Sequence, residues 1–159
     1  MANWNISSQE IGLQPIENTD TVQRHALGKL CKAVHATYGE GEFIYLKGVA
    51  STAVGEAVVY DSAYATTRTV AASRGPVGIS MSANVANQYG WYQIEGIAVA
   101  KAATVASGAA VQATATAGTI DDTATGGQYI DGAVTKSADG TPSAGFALVA
   151  LSRPCMNGR

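Results

Sequence analysis

A chain of 159 residues suits one domain and is long enough to bury a core of its own. Its 47% hydrophobic content excludes a chain disordered by composition. With 14% charged residues and a net charge of −2, it lacks the basic face that nucleic-acid phosphates or an anionic membrane would need.

The apolar content is mostly Ala and Val, set among many Gly and Thr. Such residues favour strands joined by turns over helices. Residues 1–28 stand apart. "NWNISSQEIGLQPIENTDTVQRHALG" is rich in Asn, Gln, Ser and Thr, and its apolar residues follow no regular period. Gly12 and Pro15 interrupt any regular element there. This stretch is expected to be an extended arm with isolated apolar anchors at Trp4, Ile6, Ile11, Leu13 and Ile16, and residues 29–159 a single β domain. On that reading, removing residues 1–20 leaves a folded protein that has lost its partner.

From Lys29 onward, strand patterns dominate. "KLCKAVHAT" alternates Leu30, Lys32 and Val34 against Cys31, Ala33 and His35. "EFIYLKGVA" alternates Phe43, Tyr45 and Lys47 against Ile44 and Leu46. Further strands are expected at 56–61, 67–72, 77–81, 91–100, 110–117, 128–134 and 145–152, with turn chemistry at "YGEGE", "SRGP", "ANQYG" and "SADGTP". "SANVANQ" (82–88) has room for one helical turn at most. Many short strands at roughly ten-residue spacing describe an all-β fold, a compact sandwich or barrel.

In "YGWYQIEGIAVA" (89–100), alternation puts Tyr92, Ile94, Gly96, Ala98 and Ala100 on one apolar face, the expected core. Trp91 falls on the other face with Gln93 and Glu95. An amphipathic ring in that position fits the rim of a subunit contact or the end of the chain's own barrel.

No residue pattern assembles chemistry. The two histidines, His25 and His35, have no Ser–His–Asp or Cys–His context. Asp121–Asp122 lacks the later ligands of a calcium loop, and "YGEGEF" lacks the lysine and helix of a phosphate loop. Lys101 sits between strands as in a biotinyl-type carrier hairpin, but its alanine flanks do not form the turn. The opening "MANWNISSQE" does not read as a secretory leader, so Cys31 and Cys155 are expected as reduced, packed thiols, and "NIS" at Asn5 as unglycosylated. No enzyme activity, cofactor or metal is expected.

The stretches "YGEGEFIYLKGVASTAVGEAVVYD" (38–61) and "GPVGISMSANVANQYGWYQIEGIAVA" (75–100) resemble a family of small tailed-bacteriophage virion proteins, the head cement or decoration proteins. "IGLQPIENTDTVQRHALGKL" and "ALVALSRPCMNG" look similar to the same family, so the resemblance covers most of the chain. Its most specific parts are "GEFIYLKGVAST" and "SANVANQYGWYQIEG". The resemblance implies a non-enzymatic protein with a jelly-roll-like or tulip-shaped β-fold. It would be made in the host bacterial cytoplasm, bind the outer surface of an icosahedral head and clamp neighbouring major capsid subunits. Its partners would be the major capsid protein and itself, as a dimer or trimer, with no catalytic residue to carry over. The alternative is a tail-fibre or receptor-binding module, which exposed aromatic residues would also suit.

Overall fold

Among the described residues, eleven strands follow one another: Trp4–Ile6 (β1), Leu30–His35 (β2), Gly39–Lys47 (β3), Ala57–Tyr60 (β4), Thr66–Arg68 (β5), Gly75–Ser80 (β6), Tyr89–Lys101 (β7), Ala110–Ala113 (β8), Ile120–Asp121 (β9), Gln128–Thr135 (β10) and Phe146–Met156 (β11). This computed structural model describes residues 4–9, 12–48, 51–123 and 128–158, and no helix occurs among them. The strands form one large antiparallel sheet in the order β1-β2-β3-β7-β6-β11-β10-β8-β9, with β4 on β6 and β5 on β4. The sheet does not close into a barrel and is compatible with a sandwich, so the chain is all-β.

Three apolar clusters fill the fold. The largest gathers small residues (Ala98, Ala100, Ala133, Ala147) with Val77, Ile79, Val111, Ile120, Val149 and Leu151. A second is aromatic and contains Trp4, Phe43, Tyr45 and Trp91, together with Ile16, Cys31 and Ala33. The third joins Ile44 and Leu46 of β3 to Tyr92 and Ile94 of β7 and Val58 of β4. Strand β3 is therefore buried on both faces between Phe43 and Leu46, which is why its apolar run is continuous.

Strand β7 is the spine. Its first half pairs with β3 and its second with β11, while β6 joins it only at Ile79–Gln93 and Ser80–Tyr92. The β3 register moves from Phe43–Gln93 to Glu42–Glu95, leaving Ile94 as the extra residue of a bulge. Gly96 follows at φ 91°, and a Cβ there would run into the Glu40 carbonyl. The Gln93 Nε2 donates to the carbonyls of Glu95 (3.0 Å) and Ile97 (3.1 Å), holding the irregular turn of backbone. Tyr92 and Ile94 lie in the third cluster, while Ala98 and Ala100 lie in the first. The face that alternation drew as continuous is buried at Tyr92, Ile94, Ala98 and Ala100 but is divided between two cores, with the half-buried Gly96 between them.

The amino-terminal segment does not stand off the domain. Trp4–Ile6 pairs with Ala33–His35, the Trp4 amide donates to Glu17 Oε1 (3.2 Å), and Asp20 bridges to Tyr89. It lies on the sheet as a strap. Residues 82–88 form turns and a bridge to Thr52 in place of a helical turn.

Candidate functional site

The expected arm anchors are part of the chain's own core. Trp4 is 7% exposed, and Ile16 and Trp91 are fully buried. The Trp4 ring meets Phe43 edge-on at 4.9 Å and His35 at 5.2 Å, while Trp91 meets Tyr45 at 5.1 Å and His25 at 5.6 Å. Ile6 and Leu13 are half-buried against the same cluster, and Ile11 lies outside the described residues. Trp4, Ile16 and Trp91 therefore lie inside the chain's own core and are not displayed, while Ile6 and Leu13 stay half-buried beside it. An aromatic ring buries about 150–250 Å², at roughly 25 cal/mol per Å², so folding back stabilises this segment by several kcal/mol. A solvated arm would forgo that gain.

A different surface remains. The segments 48–55 ("GVASTAVG") and 81–90 ("MSANVANQYG") contain no acidic or basic residue. Outside Val49 and Ala50, which are not described, the fold brings them together at one end of β3 and β7. The Thr52 amide donates to the Asn84 carbonyl (2.9 Å), the Gly48 amide to the Gln88 carbonyl (2.7 Å), and the Asn87 amide to the Gly48 carbonyl (3.1 Å). Asn84 is fully buried: its Nδ2 donates to the Tyr92 hydroxyl (3.0 Å), and its Oδ1 accepts from Ser82 Oγ (3.2 Å). A Cβ on Gly48 would come within 2.8 Å of the Asn84 Cβ, and one on Gly90 within 2.7 Å of its Nδ2. Both glycines are needed for the loops to close over that side chain. Burial holds the Tyr92 phenol above its ordinary range, outweighing the opposing pull of the Asn84 amide.

Val54 and Val85 project from these loops at 53% and 44% exposure. Thr19 Oγ1 donates to the Ala83 carbonyl (3.0 Å), so the strap reaches the same loops, and Val22, three residues on, is also exposed.

Beneath the loops, Glu56 is almost fully buried. Its Oε1 takes Lys101 Nζ at 3.0 Å and Arg68 Nη1 at 3.6 Å, and its Oε2 accepts the Ala53 amide at 3.0 Å. A buried carboxylate is tolerated only with such partners. Here they fasten the Val54 loop to β5 and β7. The described parts of the two loops carry no charge of their own and are tipped by Val54 and Val85, which suits contact with another protein surface.

Elsewhere, Lys32 and Glu40 pair across β2 and β3 at 3.1 Å, and Arg153 reaches Glu42 at 2.6 Å and Glu95 at 3.8 Å. Lys32, Glu40, Glu42 and Glu95 line a shallow cavity of about 280 Å³ with Gly41, Gly96 and Leu151. Its charges are mutually satisfied. Among the described residues, no group of three or more His, Cys, Asp or Glu is placed to hold a metal ion.

Sequence reasoning missed the loop end because it sought aromatic anchors. The available signal was two charge-free stretches bounded by glycine, both within the quoted resemblance. No protein-family model matches the chain, and no curated protein matches it in sequence.

Proposed function

We propose that the chain is a structural virion protein that binds the outer surface of an icosahedral phage head and cements neighbouring major capsid subunits. The observation carrying this reading is spatial. The stretches most specific to the resemblance, 41–52 and 82–96, are far apart in sequence, yet they meet at the Thr52–Asn84 bridge, and their portions at that end, 48–52 and 82–90, carry no charge. A decoration protein needs a preformed surface that seats on other protein without drawing charge out of water. Many copies on one shell then multiply a modest contact.

The test is co-sedimentation of purified protein with undecorated heads. Wild type is expected to pellet with heads at a fixed number per capsomer. The Val54→Glu, Val85→Glu double variant is expected to stay in solution while keeping its circular-dichroism spectrum and melting temperature. Wild type that never pellets with heads, or binds host cells instead, overturns the reading. A double variant that decorates fully moves the contact elsewhere.

A further inference from the structure

Around the second half of β7, one sheet face belongs to none of the core clusters. Ala98 and Ala100 of β7, Ala147, Val149 and Leu151 of β11, and Ala133 of β10 point into the largest core. The alternate residues Ile97, Val99, Leu148, Ala150 and Val134 therefore turn outward. They are half-buried, apart from Val134 at 42% exposure, and stand outside all three core clusters. Register places Val134 beside Ala150 and Ala150 beside Ile97, with Leu148 beside Val99 in the next row. The result is a contiguous apolar patch across three strands, with no acidic or basic residue inside it.

Charge is sorted at the ends of the patch. On the β10 side, Asp131 lies at one end and Lys136, the residue after the strand, at the other. On β7, Glu95 lies at the Asp131 end, opposite Ser152, and Lys101 at the Lys136 end, opposite Phe146. Within the chain, Asp131 accepts from Asn157 Nδ2 (3.0 Å), Glu95 reaches Arg153 at 3.8 Å, and Lys101 holds Glu56 at 3.0 Å.

We infer that a second copy of this chain packs on this face, sheet against sheet, about a two-fold axis lying between the sheets and across the strands. A two-fold along the strands would stack the acidic ends on each other. One across them sets Asp131 and Glu95 over Lys136 and Lys101 of the second copy, a self-complementary arrangement. The strands are already paired edge to edge at these residues, so the face offers side chains and no free backbone to an extended peptide. Strand spacings of about 4.8 Å and 3.3 Å per residue limit the patch to a few hundred Å². That is below the roughly 800 Å² per partner of a standard interface, so association should be concentration-dependent. The pairing rests on register and charge, independently of head binding. Of the dimer and trimer implied by the resemblance, it selects the dimer.

Sedimentation-velocity analysis of the full chain over a range of micromolar concentrations tests this. Wild type should shift from monomer to dimer as concentration rises. Val134→Glu should weaken the dimer at least about tenfold with unchanged circular dichroism. Lys136→Asp and Asp131→Lys should each weaken it, and the two together should restore it. A wild type that stays monomeric, or that forms trimers indifferent to these substitutions, overturns the inference, as does a charge exchange that fails to rescue. Head co-sedimentation separates the claims. Monomers that decorate heads overturn the pairing alone, and dimers that ignore heads overturn the head-binding reading alone.

Discussion

Tyr45 shows how a single side chain ties the strap down. Its ring is fully buried, and its hydroxyl donates to Asp20 Oδ2 at 2.7 Å. Burial, then the Asp20 bond, holds this phenol far above the ordinary tyrosine range, and burial raises Tyr92 and Tyr60 as well. Near neutral pH all three are protonated whether the chain is folded or not. Above about pH 10 the unfolded chain releases these protons while the folded chain keeps them, so stability falls as pH rises. Tyr45→Phe is expected to cost roughly 1–3 kcal/mol at pH 7, because Asp20 loses a charge-assisted partner. The same variant should show a shallower alkaline decline, not a flat one, in denaturant titrations across pH 7–11. Trp4→Ala should be costlier, about 3–5 kcal/mol, since nothing nearby can fill the space. An unchanged denaturation midpoint would show that Trp4 does not close the aromatic cluster. Gly96→Ala forces a side chain into the left-handed region and onto the Glu40 carbonyl, and is expected to destabilise by more than about 1 kcal/mol.

Among the strands, alternation was readable wherever one face met a core and the other met solvent. Leu30–His35 follows it residue by residue, with Cys31, Ala33 and His35 buried and the rest exposed. Reading stopped where pairing, not local sequence, decided. Trp4–Ile6 has no period of its own and becomes a strand because Ala33–His35 offers an edge. Ile120–Asp121 is too short to show any pattern. The bulge at Ile94 moves Ala98 and Ala100 into a different core from Tyr92, a change that period-two counting cannot see. Because the strap is a working part of the sheet, deleting residues 1–20 should expose Trp91 and Tyr45, lower the melting temperature and speed amide exchange in β2 and β3. A truncated protein as stable as the full chain would return this segment to the role of a free arm.

For the fold as a unit, composition spoke clearly about class and weakly about surface. Small, β-favouring residues announced an all-β chain. The contact end stayed hidden because it is assembled from segments that meet only after β3 and β7 pair. Low charge did carry one lesson: a contact made by Val54 and Val85 should have little ionic component. If the chain binds heads as proposed, that binding is expected to change little between low and moderately high salt, because there are few counter-charges to screen. A steep loss of binding with salt would point instead to the Lys32, Glu40, Glu42 and Arg153 surface.

On the proposed head-binding role, the buried Asn84 amide has a consequence for the kinetics of assembly. Loops that must be ordered on contact lose about 0.5–1.5 kcal/mol for each side chain they immobilise, and they slow productive encounter. Here the described parts of the loops are already joined, since the Asn84 carbonyl holds the Thr52 amide and its side chain holds Ser82 and Tyr92. Asn84→Ala should therefore act chiefly on the rate of capture. Each collision would have to wait for Ser82 and Tyr92 to be brought back to the places that the Asn84 side chain gives them.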